Sequence, residues 1–159
     1  MLAANGAGTR LLGEYVTEEG AASLTALMTA LQAAAGRSVS RELARLGDGE
    51  RAFEDRLDDG AAIRVRLRID AGRGEIDFSG SAPALAGNLN APRAVVEAAT
   101  IYALRCLVAE RIPLNGGCLA PVSLVVPPGS LLDPPPGAAV VGGNVETSQR
   151  VVDVLLGAM

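Results

Sequence analysis

The fold is decided by the stretch Ile63-Arg64-Val65-Arg66-Leu67-Arg68-Ile69, in which aliphatic residues and arginines alternate strictly. Because the side chains of a β-strand point alternately to its two faces, this pattern predicts a strand with one buried and one charged face. Turn signals flank it at Asp58-Asp59-Gly60 and at Ala71-Gly72-Arg73-Gly74. With further strands at 50–57 and from Glu75 onward, the sequence predicts an antiparallel β-meander.

The arginine row Arg64, Arg66 and Arg68 has two interpretations. Three guanidinium groups on one face would suit an anionic substrate or cofactor. Cross-strand pairing with acidic neighbours is the more ordinary explanation, and such pairs contribute only ~0.2–1 kcal/mol each. We favour pairing, and the expected acidic neighbours are Glu54, Glu75 and Asp77.

Two further patterns resemble known ligand sites. The acidic group Asp55, Asp58 and Asp59 offers the oxygen ligands that magnesium or calcium prefers, but aspartates are common in hairpin turns and we favour that explanation. The stretch Gly6-Ala7-Gly8-Thr9 resembles a dinucleotide fingerprint, but no strand precedes it and Leu11 stands in place of the third glycine. We expect a flexible entry to a helix there.

The N-terminal third is predicted to be helical. Apolar residues recur at helical spacing through residues 9–47, and Gly20 interrupts the pattern. The stretch Thr17-Glu18-Glu19 places acidic side chains at a predicted helix start. Gly36 and Ser38 are candidates for another break, so we expect two or three helices.

The second half of the chain is predicted to contain one long helix, short strands and a final helix. A loop over 79–92 leads into the long helix, with Asn90 or Ala91 before Pro92 in an N-cap arrangement, and the helix ends before Pro113. Its apolar face is assigned to Val95, Val96, Ala99, Tyr102, Ala103, Cys106 and Leu107. After it we expect a turn at Leu114–Gly117, a strand at Val122–Val126, a proline-rich loop at Pro127–Gly137, a strand at Ala138–Val141 and a helix at Val145–Leu156.

These elements define the α+β fold class, with N-terminal helices, an antiparallel β-meander, a long central helix, short strands and a C-terminal helix. We expect a single domain over 1–159. Its parts are helices at 1–47, the meander at 48–78, a loop with the long helix and a strand at 79–126, and the proline-rich loop with the final helix at 127–159. We expect part of the apolar side of the final helix to be open or covered by another copy, so a homodimer is a further expectation.

The composition restricts the chemistry that this chain can perform. It has 159 residues, of which 49% are hydrophobic, enough for a core in one domain. All 14 basic residues are arginine, so the chain lacks the lysine of a Walker-type loop or a Schiff base and the histidine of a Ser-His-Asp site. Two cysteines without histidine cannot complete a zinc site. We therefore expect most of any active site to lie elsewhere.

Charge and hydropathy argue against two classes of partner. The net charge of −4 and an aromatic content of 3% disfavour nucleic acid. The sequence shows neither a membrane span nor a signal peptide, so we expect a cytoplasmic protein without membrane association. Cys106 and Cys118 fit thiols of a reducing compartment. Cys106 is interpreted as a packing residue, and Cys118 is a candidate nucleophile with no histidine or lysine to stabilise its thiolate.

Two glycine-asparagine segments, 87–92 and 140–150, are the best candidates for a binding site. Both put amide side chains and free backbone N–H groups at a predicted helix N-terminus, where an anion or polarised carbonyl is well received. Asparagine is also a good helix cap, so both interpretations stay open. A shared site would require the two segments to converge. The candidate substrate- or anion-binding residues are Asn88, Asn90, Gly142, Gly143, Asn144, Thr147, Gln149 and Arg150.

A series of longer motifs runs in order over residues 76–156. They are Ile76-Asp77-Phe78-Ser79-Gly80-Ser81-Ala82-Pro83, Gly87-Asn88-Leu89-Asn90-Ala91-Pro92, Tyr102-Ala103-Leu104-Arg105-Cys106-Leu107, Ile112-Pro113-Leu114-Asn115-Gly116-Gly117-Cys118, Gly129-Ser130-Leu131-Leu132 with Pro134-Pro135-Pro136, and Gly142-Gly143-Asn144-Val145-Glu146-Thr147-Ser148-Gln149-Arg150. In these motifs the chain resembles the hydantoinase B/oxoprolinase family. The preceding segment, including Leu2-Ala3-Ala4-Asn5 and Phe53-Glu54-Asp55, is similar to the same family more loosely.

The resemblance implies the B subunit of an ATP-dependent hydrolase that opens cyclic amides such as hydantoin, N-methylhydantoin or 5-oxoproline. It implies ATP and a divalent metal for the full complex, with neither bound by this chain. It also implies two partners, namely a hydantoinase A-type ATPase subunit or domain and the remainder of the B subunit. Phosphorylation of the amide oxygen would make it a better leaving system, after which water can add.

The chain departs from the family pattern in length and composition. Family members are several times longer and carry a histidine- and aspartate-rich metal-binding portion that this sequence does not contain. We therefore expect a partial hydantoinase B/oxoprolinase domain that is inactive by itself. The alternative is a non-catalytic structural or interaction module derived from the same family.

Overall fold

The elements follow the order that the sequence pattern predicts. Two helices precede the meander, and two helices with a strand between them follow it. The structure, a computed structural model, describes residues 2–110, 112 and 115–159. The elements are α1 (Leu2–Glu19), α2 (Ala21–Leu46), β1 (Gly49–Arg56), β2 (Ala62–Asp70), β3 (Arg73–Asp77), α3 (Arg93–Leu107), β4 (Val122–Val125) and α4 (Ser148–Ala158). This arrangement confirms the predicted α+β fold class. None of the helices described combines the length with the apolar character that crossing a bilayer requires.

β2 lies inside a four-stranded sheet of order β1-β2-β3-β4. It pairs antiparallel with β1 and β3, and Leu67 lies opposite Ile76, so the predicted meander is confirmed. The aliphatic residues of β2 are at most 2% exposed, and its arginines face the other side. β4 pairs with β3 in parallel, so the complete sheet is mixed. The long crossover through α3 makes this parallel pairing feasible.

α4 packs against β1 and β2. Val151 and Leu155 are fully buried, and a Cβ added at Gly157 would lie 2.7 Å from the Phe53 ring, so the glycine lets this helix approach β1 closely. The expectation that the apolar side of the last helix is uncovered is therefore wrong for its main stripe. Leu156 lies outside this buried stripe and is 44% exposed.

The N-terminal third forms two helices that differ in burial. α1 has no buried residue, and the buried residues of α2 begin at Ala35. We call residues Leu2–Ala33 the N-terminal arm. Gly20, with φ of +84°, separates the two helices. The stretch Thr17-Glu18-Glu19 therefore ends α1, which corrects the predicted helix start; the Thr17 hydroxyl donates back to the carbonyl oxygen of Gly13.

The predicted break at Gly36 and Ser38 is wrong, because α2 runs through both. A Cβ added at Gly36 would lie 3.0 Å from the Gly117 carbonyl oxygen. This glycine therefore permits close packing of α2 on the 3₁₀ turn Gly116–Leu119 rather than ending the helix.

α3 buries part of the predicted stripe, since Val96, Ala99 and Ala103 are buried as expected. Tyr102 is 56% exposed and Cys106 is also exposed, which corrects their assignment to the apolar face. The buried side also contains Thr100, whose hydroxyl donates to the Val96 carbonyl oxygen inside the helix. Because threonine is polar, the hydrophobic pattern did not assign it to the buried face. The buried stripe is Val96, Ala99, Thr100, Ala103 and Leu104. The predicted boundary at Pro113 lies outside the described residues.

The segments after α3 differ from prediction in two places. β4 is present, but Ala138–Val141 is not a strand. The carbonyl oxygen of Ala139 accepts a hydrogen bond from the Asn90 side chain, and the N–H of Ala138 donates to the Pro135 carbonyl oxygen, so these backbone groups are not available for strand pairing. Leu114, where the predicted turn begins, lies outside the described residues.

Candidate functional site

The two glycine-asparagine segments lie against each other. The N–H of Gly142 donates to the Asn88 carbonyl oxygen at 2.8 Å, and the Thr147 hydroxyl donates to the carbonyl oxygen of Leu89, 58 positions away. The convergence that a shared site requires is present in the fold. We call the residues that make this contact, 85–91 and 139–147, the clasp.

Asn90 holds the clasp together from inside. Its Oδ1 accepts from the Leu85 N–H at 2.7 Å. Its Nδ2 donates to the carbonyl oxygens of Leu85, Gly87 and Ala139 at 2.9, 3.1 and 3.0 Å. Asn90 is fully buried, and α3 begins after Pro92 without a side-chain cap. Neither predicted role fits this residue, because it neither caps α3 nor reaches solvent; it positions the clasp.

Two other candidates are buried with Asn90. A Cβ added at Gly143 would overlap the Asn90 carbonyl oxygen, so only glycine allows the two backbones to come this close. Thr147 is fully buried. Between them the chain forms a π-helical turn, Gly143–Thr147, ahead of α4. Such turns are rare in proteins, and those that occur often lie at functional sites.

The exposed candidates face a groove between α3 and α4. Asn144 and Gln149 line this groove, which has a volume of about 390 Å³. Its wall is largely apolar and includes Ala98 and Tyr102 from α3 and Val152 from α4. A mostly apolar recess with a few polar groups is typical of a small-molecule site. Asn88 is exposed on the clasp but is not part of the groove lining.

Arg150 is engaged by acidic side chains. Its Nη1 lies 2.7 Å from Asp55 Oδ2 and 3.6 Å from Asp153 Oδ2. A hydrogen bond from the Arg56 backbone N–H, together with the Arg150 side chain, lowers the pKa of Asp55. Arg150 therefore ties α4 to β1, and an anion that bound it would compete with Asp55.

Two members of the arginine row, Arg64 and Arg66, pair across strands, which confirms the favoured interpretation for these two; among the described residues, Arg68 and Glu75 form no ion pair. Arg64 forms an ion pair with Glu54, and Arg66 Nη2 lies 2.6 Å from Asp77 Oδ2. Burial raises the pKa of Asp77, but hydrogen bonds from Ser79 and the Arg66 ion pair outweigh it, and the net pKa lies below the ordinary value.

The other ligand-like patterns have local explanations. Asp59 accepts a hydrogen bond from the Ala61 N–H in the turn after β1. The stretch Gly6-Ala7-Gly8-Thr9 lies within α1, so it forms no phosphate loop and is not the flexible helix entry that was expected. Among the described residues, no three His, Cys, Asp or Glu side chains are placed to share a metal ion. The carboxylates and thiols of the described residues thus do not form a divalent metal site.

The two cysteines exchange their predicted environments. Cys106, expected to pack in the core, is exposed on α3. Cys118, expected in a loop, is fully buried in the 3₁₀ turn that packs against α2. A thiol without access to solvent cannot meet a substrate, so the nucleophile hypothesis for Cys118 is wrong.

Sequence reasoning missed two parts of this region. The Asp55–Arg150 contact joins residues 95 positions apart, and no local pattern indicates it. The groove wall on α3 could have been found, because Ala94, Ala98 and Tyr102 recur every four residues and therefore share one helix face.

Comparison with known proteins identifies the family. The hydantoinase B/oxoprolinase family matches residues 1–159. The 5-oxoprolinase of Saccharomyces cerevisiae is 47% identical over 98% of this chain, which covers 12% of the yeast protein. 5-oxoprolinase 1 of Arabidopsis thaliana is 46% identical over 99% of this chain, which covers 14% of the plant protein. The chain therefore spans about an eighth of the length of these relatives.

A solved structure shares the fold. The ATP-dependent caprolactamase from Pseudomonas jessenii superposes with a TM-score of 0.79 over 96% of this chain and 28% of that chain, at 21% sequence identity. At this identity the likeness concerns the fold alone. From the match over its whole length and the identity to the two relatives, the chain belongs to the hydantoinase B/oxoprolinase family.

Proposed function

We propose that this chain forms one part, over residues 1–159, of a hydrolase that opens cyclic amides such as 5-oxoproline, hydantoin or N-methylhydantoin with ATP. The observation that carries the proposal is the groove between α3 and α4, in which Asn144 and Gln149 stand over an apolar wall. Family membership supports the reaction class, since the relatives in yeast and plant bear the name 5-oxoprolinase.

The chemistry of the groove suits a cyclic amide. Such a substrate presents an amide N–H donor and an adjacent carbonyl acceptor within a small ring. A carboxamide side chain has the complementary pair, a carbonyl that accepts and an NH₂ that donates. We expect Asn144 and Gln149 to orient the amide of the substrate while Tyr102 and Val152 contact its ring. The buried Asn90, Gly143 and Thr147 would hold Asn144 in place.

The proposal leaves the catalytic groups outside this chain. As the family resemblance implies, activation of the amide by ATP and a divalent metal would occur on a hydantoinase A-type ATPase and on the rest of the hydantoinase B polypeptide; the described residues here place no three His, Cys, Asp or Glu side chains together for the metal. The unpaired thiols of Cys106 and Cys118 agree with the proposed cytoplasmic location.

A non-catalytic module of the same family is the second candidate. The observation in its favour is that Asn90 and Thr147 are fully buried, so part of the motif block serves the fold alone. The two candidates differ over the exposed residues, since only a substrate site requires the side chains of Asn144 and Gln149.

The test is a chimera of the yeast 5-oxoprolinase in which this chain replaces the segment it matches. We expect ATP-dependent hydrolysis of 5-oxoproline, and we expect Asn144→Ala to lower kcat/KM about tenfold through the loss of a hydrogen bond worth ~1.4 kcal/mol. Glu75→Gln, on the exposed face of the sheet away from the groove, is the control and should leave kcat/KM within twofold.

The outcomes separate the two candidates. Full activity of the Asn144→Ala and Gln149→Ala chimeras would favour the non-catalytic module. An inactive parent chimera with a cooperative thermal transition would count against the hydrolase proposal itself. Asn90→Ala serves as the stability reference, because it should lower the Tm of the 159-residue chain, whereas Asn144→Ala should not.

A further inference from the structure

The N-terminal arm exposes an unusual amount of apolar surface. Residues 21–35 of α2 contain no charged side chain, and nearly all of residues 21–33 are exposed. α1 has no buried residue and packs mainly against α2. The exposed large apolar side chains of the arm include Leu11 (57%), Leu12 (52%), Leu27 (44%), Met28 (54%) and Leu31 (40%). Contiguous apolar surface of this kind usually marks an interface.

The total surface area agrees with this interpretation. The chain exposes 8902 Å² for a mass of 16.1 kDa. Folded monomers of this mass expose about 7,400 Å². The excess of about 1,500 Å² exceeds the ~800 Å² that one partner contributes to a stable protein interface.

The glycines of the arm provide an independent observation. The two other α-helical glycines, Gly36 and Gly157, sit at close contacts, Gly36 beside Gly117 and Gly157 beside Phe53. Gly6, Gly8 and Gly13 have no atom within 4 Å of an added Cβ. Each weakens an exposed helix by roughly 1 kcal/mol relative to alanine. Nothing in the described chain compensates for this, but a backbone packed on α1 from outside would.

We propose that the arm docks onto the part of the hydantoinase B/oxoprolinase polypeptide that lies outside these 159 residues. This inference rests on the proposed function as one part of a longer hydrolase. The relatives support this occupant because they match 98–99% of this chain, the arm included, while about seven-eighths of their own length lies outside the match.

The chemistry of the arm defines the surface that it fits. The segment between Ala21 and Ala35 contains no charged side chain. Its binding is therefore strengthened by aliphatic and aromatic side chains on the partner and weakened where a charge of the partner would be desolvated. The exposed face of the sheet carries the Arg64–Glu54 and Arg66–Asp77 ion pairs, which contact with an apolar partner would have to desolvate. Assembly therefore proceeds through the arm.

The experiment is co-purification of the tagged 159-residue chain with a yeast 5-oxoprolinase from which the matched segment has been deleted. Leu27→Glu places a charge on the arm, and we expect it to reduce the recovered complex at least tenfold. Leu156→Glu is the matched control, because Leu156 on α4 has the same 44% exposure as Leu27. It should leave recovery within twofold.

Sedimentation velocity of the chain alone completes the test. We expect a monomer at micromolar concentration for both variants and an unchanged circular dichroism spectrum. Equal recovery of Leu27→Glu and Leu156→Glu, or no recovery of the parent chain, would overturn the proposal. A dimer that Leu27→Glu converts to monomer would assign the arm to a second copy instead. Because co-purification needs no turnover, its failure is distinguishable from an inactive chimera.

Discussion

The clasp and the N-terminal arm both place glycine in helical backbone, and the reasons differ. In the clasp, Gly143 is required because a side chain there would overlap the Asn90 carbonyl oxygen. In the arm, the surroundings of Gly8 and Gly13 are open. The clasp is therefore explained by contacts within the chain, whereas the arm is not. Residues that weaken local structure without an internal reason point to a partner.

The same contrast applies to hydrophobic side chains, and it leads to the prediction with the largest effect. Leu67 is fully buried in the sheet, and Leu27 is 44% exposed on the arm. Leu67→Ala should lower the free energy of unfolding by ~2–5 kcal/mol, because it leaves a cavity in the core. Leu27→Ala should lower it by less than ~1 kcal/mol. Urea denaturation of both variants measures the difference, and equal losses would show that the arm is packed.

At the clasp, the largest expected loss is below the upper limit given for Leu67→Ala. Gly143→Ala forces the two clasp backbones apart and should cost about 3 kcal/mol of unfolding free energy, at the upper end for overpacking. Thermal unfolding checks this, with Gly87→Ala in the same segment as a control, since an added Cβ at Gly87 meets nothing within 4 Å. A Gly143→Ala protein as stable as the control would show that the segments can separate at little cost.

The arm should respond to alanine in the opposite direction. Gly8→Ala should stabilise α1 locally by about 1 kcal/mol, because alanine has the higher helix propensity and the site is open. Amide hydrogen exchange of α1 measures this, and protection should rise in α1 while β2 is unchanged. Lower protection in α1 would mean that the glycine already serves a close contact within the chain.

The smallest effect concerns acid. Glu54, Asp55 and Asp77 all lie on the sheet and have lowered pKa values. For Asp77 the folded-state pKa lies below its ordinary value of 3.8, so the native state binds fewer protons near that pH. The contribution of the Asp77 carboxylate to the free energy of unfolding is complete at pH values above its ordinary pKa, and it is lost as the pH falls through the folded-state pKa. Asp77→Asn should flatten the Tm profile below pH 4, and an unaltered profile would assign the acid sensitivity to other groups.

Patterns that depend on neighbours in sequence predicted the structure well. The alternation in β2 predicted the strand because one of its faces is buried. The final helix and the turns of the meander were predictable because residues within a few positions determine them. The convergence of the segments 87–92 and 140–150 also followed from the binding interpretation, because both put asparagine beside glycine ahead of a helix.

Features that depend on distant contacts were not predictable. Gly36 continues α2 because of Gly117, and Ala138–Val141 is kept from strand pairing by Asn90 and a local turn. The ion pair between Asp55 and Arg150 has no signature in either segment. In each case the deciding neighbour lies dozens of residues away, where propensity and periodicity carry no information.

The clasp also bears on the order of folding. β1, β2 and β3 are joined by short turns, so the meander can form from contacts close in sequence. The clasp hydrogen bonds to Ala139 and Leu89 join residues 49 and 58 positions apart. Closing such long loops costs chain entropy before any contact compensates for it. We expect the meander to form early and the hydrogen bonds of Asn90 to form last. The groove between α3 and α4 would then be complete only in fully folded chains.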